Sequence, residues 1–263
     1  MKTELITTEI TDGVALMTLN HPPMNLVSLE LTRQLSETLD RLAADKAVRV
    51  LILSGANPQA RAFCAGSDVK EFPDYMTPGS VLEKKLVFEN ATYDKLDDFP
   101  KPTIAAINGL AYGGGLELAV CCDILIAAET ARLALPEIKL GIFPGTGGTH
   151  RVPRRIGVGR SKIMMFTGVP LDAKTALDWG LVEQVVPADK VLPAAMELAR
   201  TIAAGPQESL QLCKQAIDVS LTQGRSASIK HMLALSDRAF CSDECKEGVR
   251  AFLGKETPRF PRD

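Results

Sequence analysis

The chain of 263 residues lacks several features that mark other classes of protein. No apolar run approaches the ~20 residues that a membrane-spanning helix needs. The first residues carry neither the apolar core of a signal peptide nor the Arg-rich character of a transit peptide. The formal net charge is only −2, and no basic block offers the surface that nucleic acids require. We therefore expect no membrane and no nucleic-acid partner.

Metal-binding and disulfide patterns are also missing. The six cysteines show no CxxC spacing, and the chain has only three histidines. These features predict neither a zinc site nor a disulfide framework, and they favour reduced thiols in a cytoplasmic protein without a metal. The phosphate-cradling motifs GxxxxGK[ST] and GxGxxG and the nucleophile motif GxSxG are absent as well. Nucleotide hydrolysis, a Rossmann site and serine-nucleophile chemistry are therefore disfavoured.

The composition that is present is that of a globular protein, with 46% hydrophobic and 24% charged residues. Asp12-Gly13 between two apolar runs predicts an opening hairpin, and leucines at helical spacing predict a helix over residues 28–45. Strand and helix patterns then alternate, and the chain becomes helical from about residue 188. We predict an α/β or α+β fold, not a doubly wound sheet, with a mixed core over 1–190 and a helical region over 191–263.

Three consecutive glycines, 113–115, follow a short strand pattern and lead into an apolar helix that carries Glu117. Glycine lets a ligand approach the main chain, and the start of a helix leaves N–H groups unpaired. A carboxylate in so apolar a helix is rarely buried without a function, and burial would raise its pKa towards acid–base use. The plainer alternative is that Glu117 faces a solvent-filled groove.

Glu137 is a second candidate, because it lies just before another glycine-rich turn at residues 144–149. Taken alone, it is more typical of a surface residue that follows a proline. As a pair, Glu117 and Glu137 could hold a water molecule between them, deprotonate it and deliver a proton. The small residues 65–67, just past a strand pattern, are a further candidate for close approach of a ligand to the backbone.

A set of short segments occurs in a characteristic order along nearly the whole chain. They are Asn25 after Pro22-Pro23, Phe63-Cys64-Ala65-Gly66-Ser67-Asp68, Asn108-Gly109, Gly113-Gly114-Gly115-Leu116-Glu117-Leu118, Cys122-Asp123, Pro136-Glu137, Gly141-Ile142-Phe143-Pro144-Gly145, Gly147-Gly148-Thr149 and Gly180-Leu181-Val182. In this order, the segments resemble those of the enoyl-CoA hydratase/isomerase family, also called crotonases. The resemblance implies a crotonase-like spiral of ββα units, followed by a helical C-terminal region that packs homo-trimers, often paired into hexamers.

The resemblance also implies a reaction. Water would add across the C2–C3 double bond of a 2-trans-enoyl-CoA to give 3-hydroxyacyl-CoA, in fatty-acid or related acyl-CoA degradation. Glu117 would activate the water, and Glu137 would exchange a proton with C2. The backbone N–H groups of Ala65 and Gly114 would form the oxyanion hole around the thioester carbonyl. Coenzyme A is part of the acyl-CoA thioester substrate, so no separate cofactor is expected.

Further substrate contacts follow from the same resemblance. Residues 72–86 would wall the acyl pocket, and Lys255 and Phe260 would reach the CoA of a neighbouring subunit. The residues expected to bind the substrate or its CoA are Ala65, Gly66, Ser67, Asp68, Gly113, Lys255 and Phe260. One alternative is a Δ3,Δ2-enoyl-CoA isomerase, which needs only one carboxylate. Another is a non-catalytic crotonase-like protein that binds CoA thioesters or RNA, against which the near-neutral charge and the intact glutamates argue.

Overall fold

The computed structural model describes residues 3–56 and 62–260. The chain opens with the predicted hairpin, in which β1 (Ile6–Thr11) pairs antiparallel with β2 (Val14–Leu19). The predicted first helix is α1 (Leu29–Ala44), and the Ser28 side chain caps it by accepting a hydrogen bond from the Leu31 N–H. The helix buries its leucine stripe in the main core.

Three successive units follow, and each gives one strand to each of two sheets before a helical segment. The first unit comprises β3 (Val50–Gly55), β4 (Ala62–Cys64), a 3-10 helix (Val69–Tyr75), a π-helical turn (Leu82–Leu86) and α2 (Val87–Asp97). The second comprises β5 (Thr103–Ile107), β6 (Leu110–Tyr112) and α3 (Gly114–Ala119). The third comprises β7 (Ile124–Ala128), β8 (Arg132–Ala134), a 3-10 helix (Glu137–Leu140) and α4 (Gly148–Thr167).

The larger sheet has the strand order β1-β2-β3-β5-β7-β10, where β10 is Gln184–Val186. The smaller sheet has the order β4-β6-β8-β9, where β9 is Leu171–Asp172. Among the strand pairs of the described residues, β1–β2 and β8–β9 are antiparallel and the others are parallel. The central strands β3 and β5 are buried along their whole length, as is typical of parallel strands covered on both faces. The predicted mixed fold, a spiral of ββα units, is therefore what the chain adopts.

The remaining elements are helical. They are α5 (Ala173–Trp179), a 3-10 turn (Ala188–Lys190), α6 (Val191–Ala203), α7 (Gln207–Thr222), α8 (Arg225–Cys241) and α9 (Asp243–Gly254). Helix α6 packs into the core through Val191, Ala195 and Ala199, whereas α7 to α9 bury few apolar side chains. The division into a core over 1–190 and a helical region over 191–263 stays a prediction. The ends of these two regions, residues 1–2 and 261–263, lie outside the described residues. Within 3–56 and 62–260, no helix is long and apolar enough to cross a membrane.

Candidate functional site

The candidate site forms where three strands of the smaller sheet end. Strands β4, β6 and β8 are parallel neighbours, so their carboxyl ends meet at one edge of the sheet. The segments that follow them, residues 65–67, 113–114 and 136–137, line one cavity of roughly 670 Å³. Sites at the carboxyl ends of parallel strands are a general feature of α/β proteins. The two small-residue segments singled out in the sequence and the candidate Glu137 are thus brought together.

Glu117 lies in α3 with only 2% of its surface exposed, although it borders the cavity. Its Oε1 accepts hydrogen bonds from the backbone N–H groups of Thr146 and Gly148, each over 2.8 Å. Burial raises the pKa of Glu117 to about 7, the nearby Glu137 carboxyl adds to the rise, and the two N–H groups oppose it. The side chain therefore titrates near neutral pH.

Glu137 begins the 3-10 helix after β8 and lines the same cavity. Both of its carboxylate oxygens are buried, and neither accepts a hydrogen bond from another described residue. Burial raises the pKa of Glu137 to about 7. Two carboxyl groups that both titrate near 7 can share the roles of acid and base, one protonated and the other ionised.

The backbone of the glycine turn is fixed by close packing. A Cβ at Gly115 would lie 2.2 Å from the Cys64 carbonyl oxygen, so only glycine lets α3 begin against the end of β4. The hydroxyl of the fully buried Tyr93 donates a hydrogen bond to the Gly114 carbonyl oxygen over 2.9 Å. Among the described residues, no group accepts the Gly114 N–H, which remains available to a ligand.

The structure argues against Ala65 as the second oxyanion-hole donor. The Ala65 N–H donates to the Met24 carbonyl oxygen over 3.0 Å, so this donor is occupied. Two residues further on, the Ser67 N–H has no acceptor in the part of the chain that the structure describes. A Cβ built on Gly114 would lie 3.8 Å from the Ser67 nitrogen. Gly66, between Ala65 and Ser67, turns the chain with a φ of +95°. The Ser67 and Gly114 donors are therefore neighbours on the cavity.

The other predicted binding residues divide into two groups. Ala65, Gly66, Ser67 and Gly113 line the cavity, and Asp68 does not. The Asp68 carboxylate instead caps the 3-10 helix that follows it, accepting the Lys70 N–H over 3.1 Å.

The two C-terminal candidates lie away from the cavity within this single chain. Lys255 is exposed and ends α9 with a positive φ of 54°. Phe260 is half-buried, and its ring lies 3.8 Å from a Cβ built on Gly248. Their contact with the CoA of a neighbouring subunit stays a prediction.

Several residues around the cavity were missed in the sequence. Lys85 and Glu89 line it from the π-helical turn and α2, but their spacing of four residues is typical of an exposed helical ion pair. Arg151 holds the loop that carries Thr146, because it pairs with Asp94 over 2.6 Å and donates to the Thr146 carbonyl oxygen over 3.3 Å. No local signal marks these contacts. Among the described residues, no cluster of His, Cys, Asp and Glu could hold a metal ion.

Comparison with known proteins gives a consistent picture. The family model for enoyl-CoA hydratase/isomerase matches residues 9–263. A probable enoyl-CoA hydratase of Bacillus subtilis is 38% identical over 94% of this chain and 95% of its own length. A probable enoyl-CoA hydratase of Mycobacterium bovis is 36% identical over 99% of both chains. The crystal structure of an enoyl-CoA hydratase from Bacillus anthracis is similar with a TM-score of 0.92 and 35% identity, over 99% of this chain and 100% of that one.

Proposed function

The chain belongs to the enoyl-CoA hydratase/isomerase family, and from this premise we propose that it adds water across the C2–C3 double bond of a 2-trans-enoyl-CoA thioester to give a 3-hydroxyacyl-CoA. The observation that carries the proposal is the pair Glu117 and Glu137, which border one cavity and both have a pKa raised to about 7. An isomerase needs only one carboxylate to move a proton, so the pair favours hydration over the isomerase alternative.

The hydrogen bonds of the two glutamates suggest their roles. Glu117 accepts two backbone N–H groups, which stabilise its ionised form and suit it to take a proton from water. Glu137 accepts none from another described residue, which suits it to hold a proton and deliver it to C2. The water oxygen bonds to C3, the π electrons of the double bond move towards the thioester, and C2 receives the proton. One proton leaves the water and one arrives at C2, so Glu117 ends protonated and Glu137 ionised.

Negative charge develops on the thioester oxygen during this addition. We assign the oxyanion hole to the backbone N–H groups of Ser67 and Gly114, because these two donors are neighbours on the cavity and unoccupied among the described residues. Removal of one such donor typically costs ~2.7–4 kcal/mol of transition-state stabilisation. The donors belong to the backbone, so the charge is met without movement of a side chain.

The proposal includes an assembly of copies of this chain, a trimer or a hexamer. Helices α7 to α9 expose large apolar side chains, as surfaces that pack against another subunit do. These side chains are Ile217, Leu221, Leu233, Phe240, Phe252 and Leu253. Lys255 and Phe260 follow directly after this surface and would reach the CoA of a neighbour from there. All six cysteines are free thiols, which supports the cytoplasm as the place where the protein works.

One assay tests the proposed reaction. The purified protein is given a short 2-trans-enoyl-CoA, and the loss of the conjugated double bond and the formation of 3-hydroxyacyl-CoA are followed. The matching 3-enoyl-CoA is given in parallel. Faster turnover of the 3-enoyl-CoA, with only slow hydration, would favour the isomerase, and absence of both reactions at every chain length and acyl substituent tried would exclude either enzyme.

A further inference from the structure

The cavity contains a polar cluster that the hydration of a plain alkyl enoyl-CoA does not use. Lys85 and Glu89 line the cavity shared by Glu117 and Glu137, and their side chains are only 3% and 1% exposed. The Lys85 Nζ lies 3.5 Å from the Glu71 Oε2 and 3.7 Å from the Glu89 Oε1. Lys85 belongs to the π-helical turn Leu82–Leu86, a feature frequently found at functional sites.

Neither the Lys85 ammonium nor the Glu89 carboxyl group has a full set of short hydrogen bonds among the described residues. Hydrogen bonds between an ammonium and a carboxylate are normally about 2.7–2.9 Å long, and both contacts of Lys85 are longer. The Glu89 Oε1 accepts no hydrogen bond from the described residues, whereas its Oε2 lies 3.4 Å from the Thr146 hydroxyl. Burying polar groups without short partners is costly. A further polar group placed between Lys85 and Glu89 would satisfy both.

The acyl chain is the part of the substrate that can reach these two residues. The CoA portion is large and highly charged, so it must stay at the open side of the cavity, while Ser67 and Gly114 hold the thioester oxygen. The acyl chain then extends into the remainder of the cavity, where Lys85 and Glu89 are almost wholly buried. A hydrogen-bonding group on that chain has the size and the position to be their partner.

The charge of the cluster selects the kind of group. One ammonium, on Lys85, faces two carboxyl groups, on Glu71 and Glu89, so a third carboxylate would add charge of the sign already in excess. A neutral hydroxyl fits better, because its oxygen can accept from the Lys85 Nζ while its hydrogen is donated to the Glu89 Oε1. The Tyr75 ring, 6.0 Å from the Lys85 Nζ, adds no further charge.

Resting on the proposed hydratase function, we propose that Lys85 and Glu89 form a subsite for a hydroxyl group on the acyl chain, so that the protein prefers hydroxylated 2-enoyl-CoA thioesters to plain alkyl ones. The subsite acts on the choice of substrate. The addition of water at C3 remains the work of Glu117 and Glu137.

The test compares 2-trans-enoyl-CoA thioesters of equal chain length that end in a methyl, a hydroxyl or a carboxylate group, over a range of chain lengths. At the best length we expect kcat/KM for the hydroxyl-ended substrate to exceed that for the methyl-ended one about tenfold or more. Lys85→Met and Glu89→Gln each lower this ratio severalfold, and they change hydration of the methyl-ended substrate less. Lys84→Met, at the exposed neighbouring lysine, leaves the ratio unchanged.

Three results would overturn the subsite. The first is a kcat/KM for the methyl-ended series that equals or exceeds that for the hydroxyl-ended series, and the second is the highest kcat/KM for the carboxylate-ended series. The third is that Lys85→Met and Glu89→Gln lower kcat/KM equally for all substrates. The last result would instead mean that the cluster acts on Glu117. If no thioester is hydrated, the proposed function fails, and the subsite is still tested by calorimetry with saturated acyl-CoA and hydroxyacyl-CoA. The subsite is supported if the wild type binds the hydroxylated ligand more tightly than the plain one and Lys85→Met abolishes this difference. It is refuted if the wild type binds the two ligands equally.

Discussion

The Tyr93 hydroxyl donates a hydrogen bond to the Gly114 carbonyl oxygen over 2.9 Å, and both residues are buried. This bond joins α2 to the first turn of α3. That turn begins with the Gly114 N–H, and it also contains Glu117, three residues later. This hydroxyl therefore helps to hold the element from which both the Gly114 N–H and the Glu117 carboxylate reach the cavity.

Tyr93→Phe should affect both stability and turnover. The change removes the hydroxyl and leaves the buried carbonyl without this donor, which costs ~1–3 kcal/mol in the free energy of unfolding. Because the turn that carries Gly114 loses a support, we expect kcat to fall while KM for the thioester changes little. Chemical denaturation and steady-state kinetics measure the two effects. An unchanged kcat in a destabilised variant would show that the hydroxyl serves stability alone.

Removal of either carboxyl group should abolish most of the hydration. Glu117→Gln and Glu137→Gln keep the shape of the side chain and remove its proton chemistry, so each is expected to lower kcat by ~10²–10⁴-fold. The double variant should be little worse than the weaker single variant, because the two groups act on one water. Glu83→Gln, at an exposed glutamate, is the matched control. Near-normal hydration by either single variant would exclude the proposed mechanism.

The pH dependence of turnover follows from the pKa values of about 7. Hydration needs one of the two carboxyl groups ionised and the other protonated, so kcat/KM should rise and fall around neutral pH in a bell shape. The two limbs belong to the pair, not to either residue alone. A profile of kcat/KM from pH 5 to pH 9 measures them, and Glu137→Gln should lose one limb from its residual activity. A flat profile would contradict the coupled pair.

The free energy of unfolding should depend on pH, because the Glu117 carboxyl group is buried in the folded state. Burial raises the pKa of Glu117 from 4.5 to about 7, so the folded state binds this proton more tightly than the unfolded state. The contribution to stability is complete below about pH 4.5 and is lost as the pH rises through about 7. Glu117→Gln removes this dependence. The difference in the free energy of unfolding between the variant and the wild type should therefore shift by ~1–3 kcal/mol in favour of the variant from pH 4 to pH 8. Urea denaturation at both pH values measures the difference, and an equal change at both would refute it.

Local signals in the sequence predicted much of the fold. The Asp12-Gly13 turn and the Ser28 cap depend on residues within a few positions of each other, and both form as expected. The glycine run 113–115 likewise marked the start of α3 and the place of Glu117. These features are local because a turn or a cap is completed by its own neighbours.

The features that sequence reasoning missed are long-range contacts. The two N–H groups that hold Glu117 come from residues 29 and 31 positions away. Lys85 and Glu89 have the spacing of a solvated ion pair, and only the tertiary packing of the π-helical turn and α2 makes them buried. The direction of the Ala65 N–H depends on Met24, more than 40 residues earlier, and no motif encodes it. The motif therefore located the turn, and the hydrogen bond to Met24 is what favours Ser67 over Ala65 as the donor.

The assignment of the second oxyanion donor to Ser67 can be tested one backbone atom at a time. Replacing the peptide N–H by an ester oxygen deletes a donor and keeps the side chain. At Ser67 this change should lower kcat by ~10²–10³-fold with little loss of stability, since no described residue accepts that N–H. At Ala65 it breaks the hydrogen bond to the Met24 carbonyl oxygen, so we expect ~0.5–1.5 kcal/mol of destabilisation and a much smaller loss of kcat. The two esters differ by two positions and are matched in chemistry, so each controls for the other. If the Ala65 ester lost activity and the Ser67 ester kept it, the oxyanion hole would have to be returned to Ala65, with the Met24 contact opening when the substrate binds.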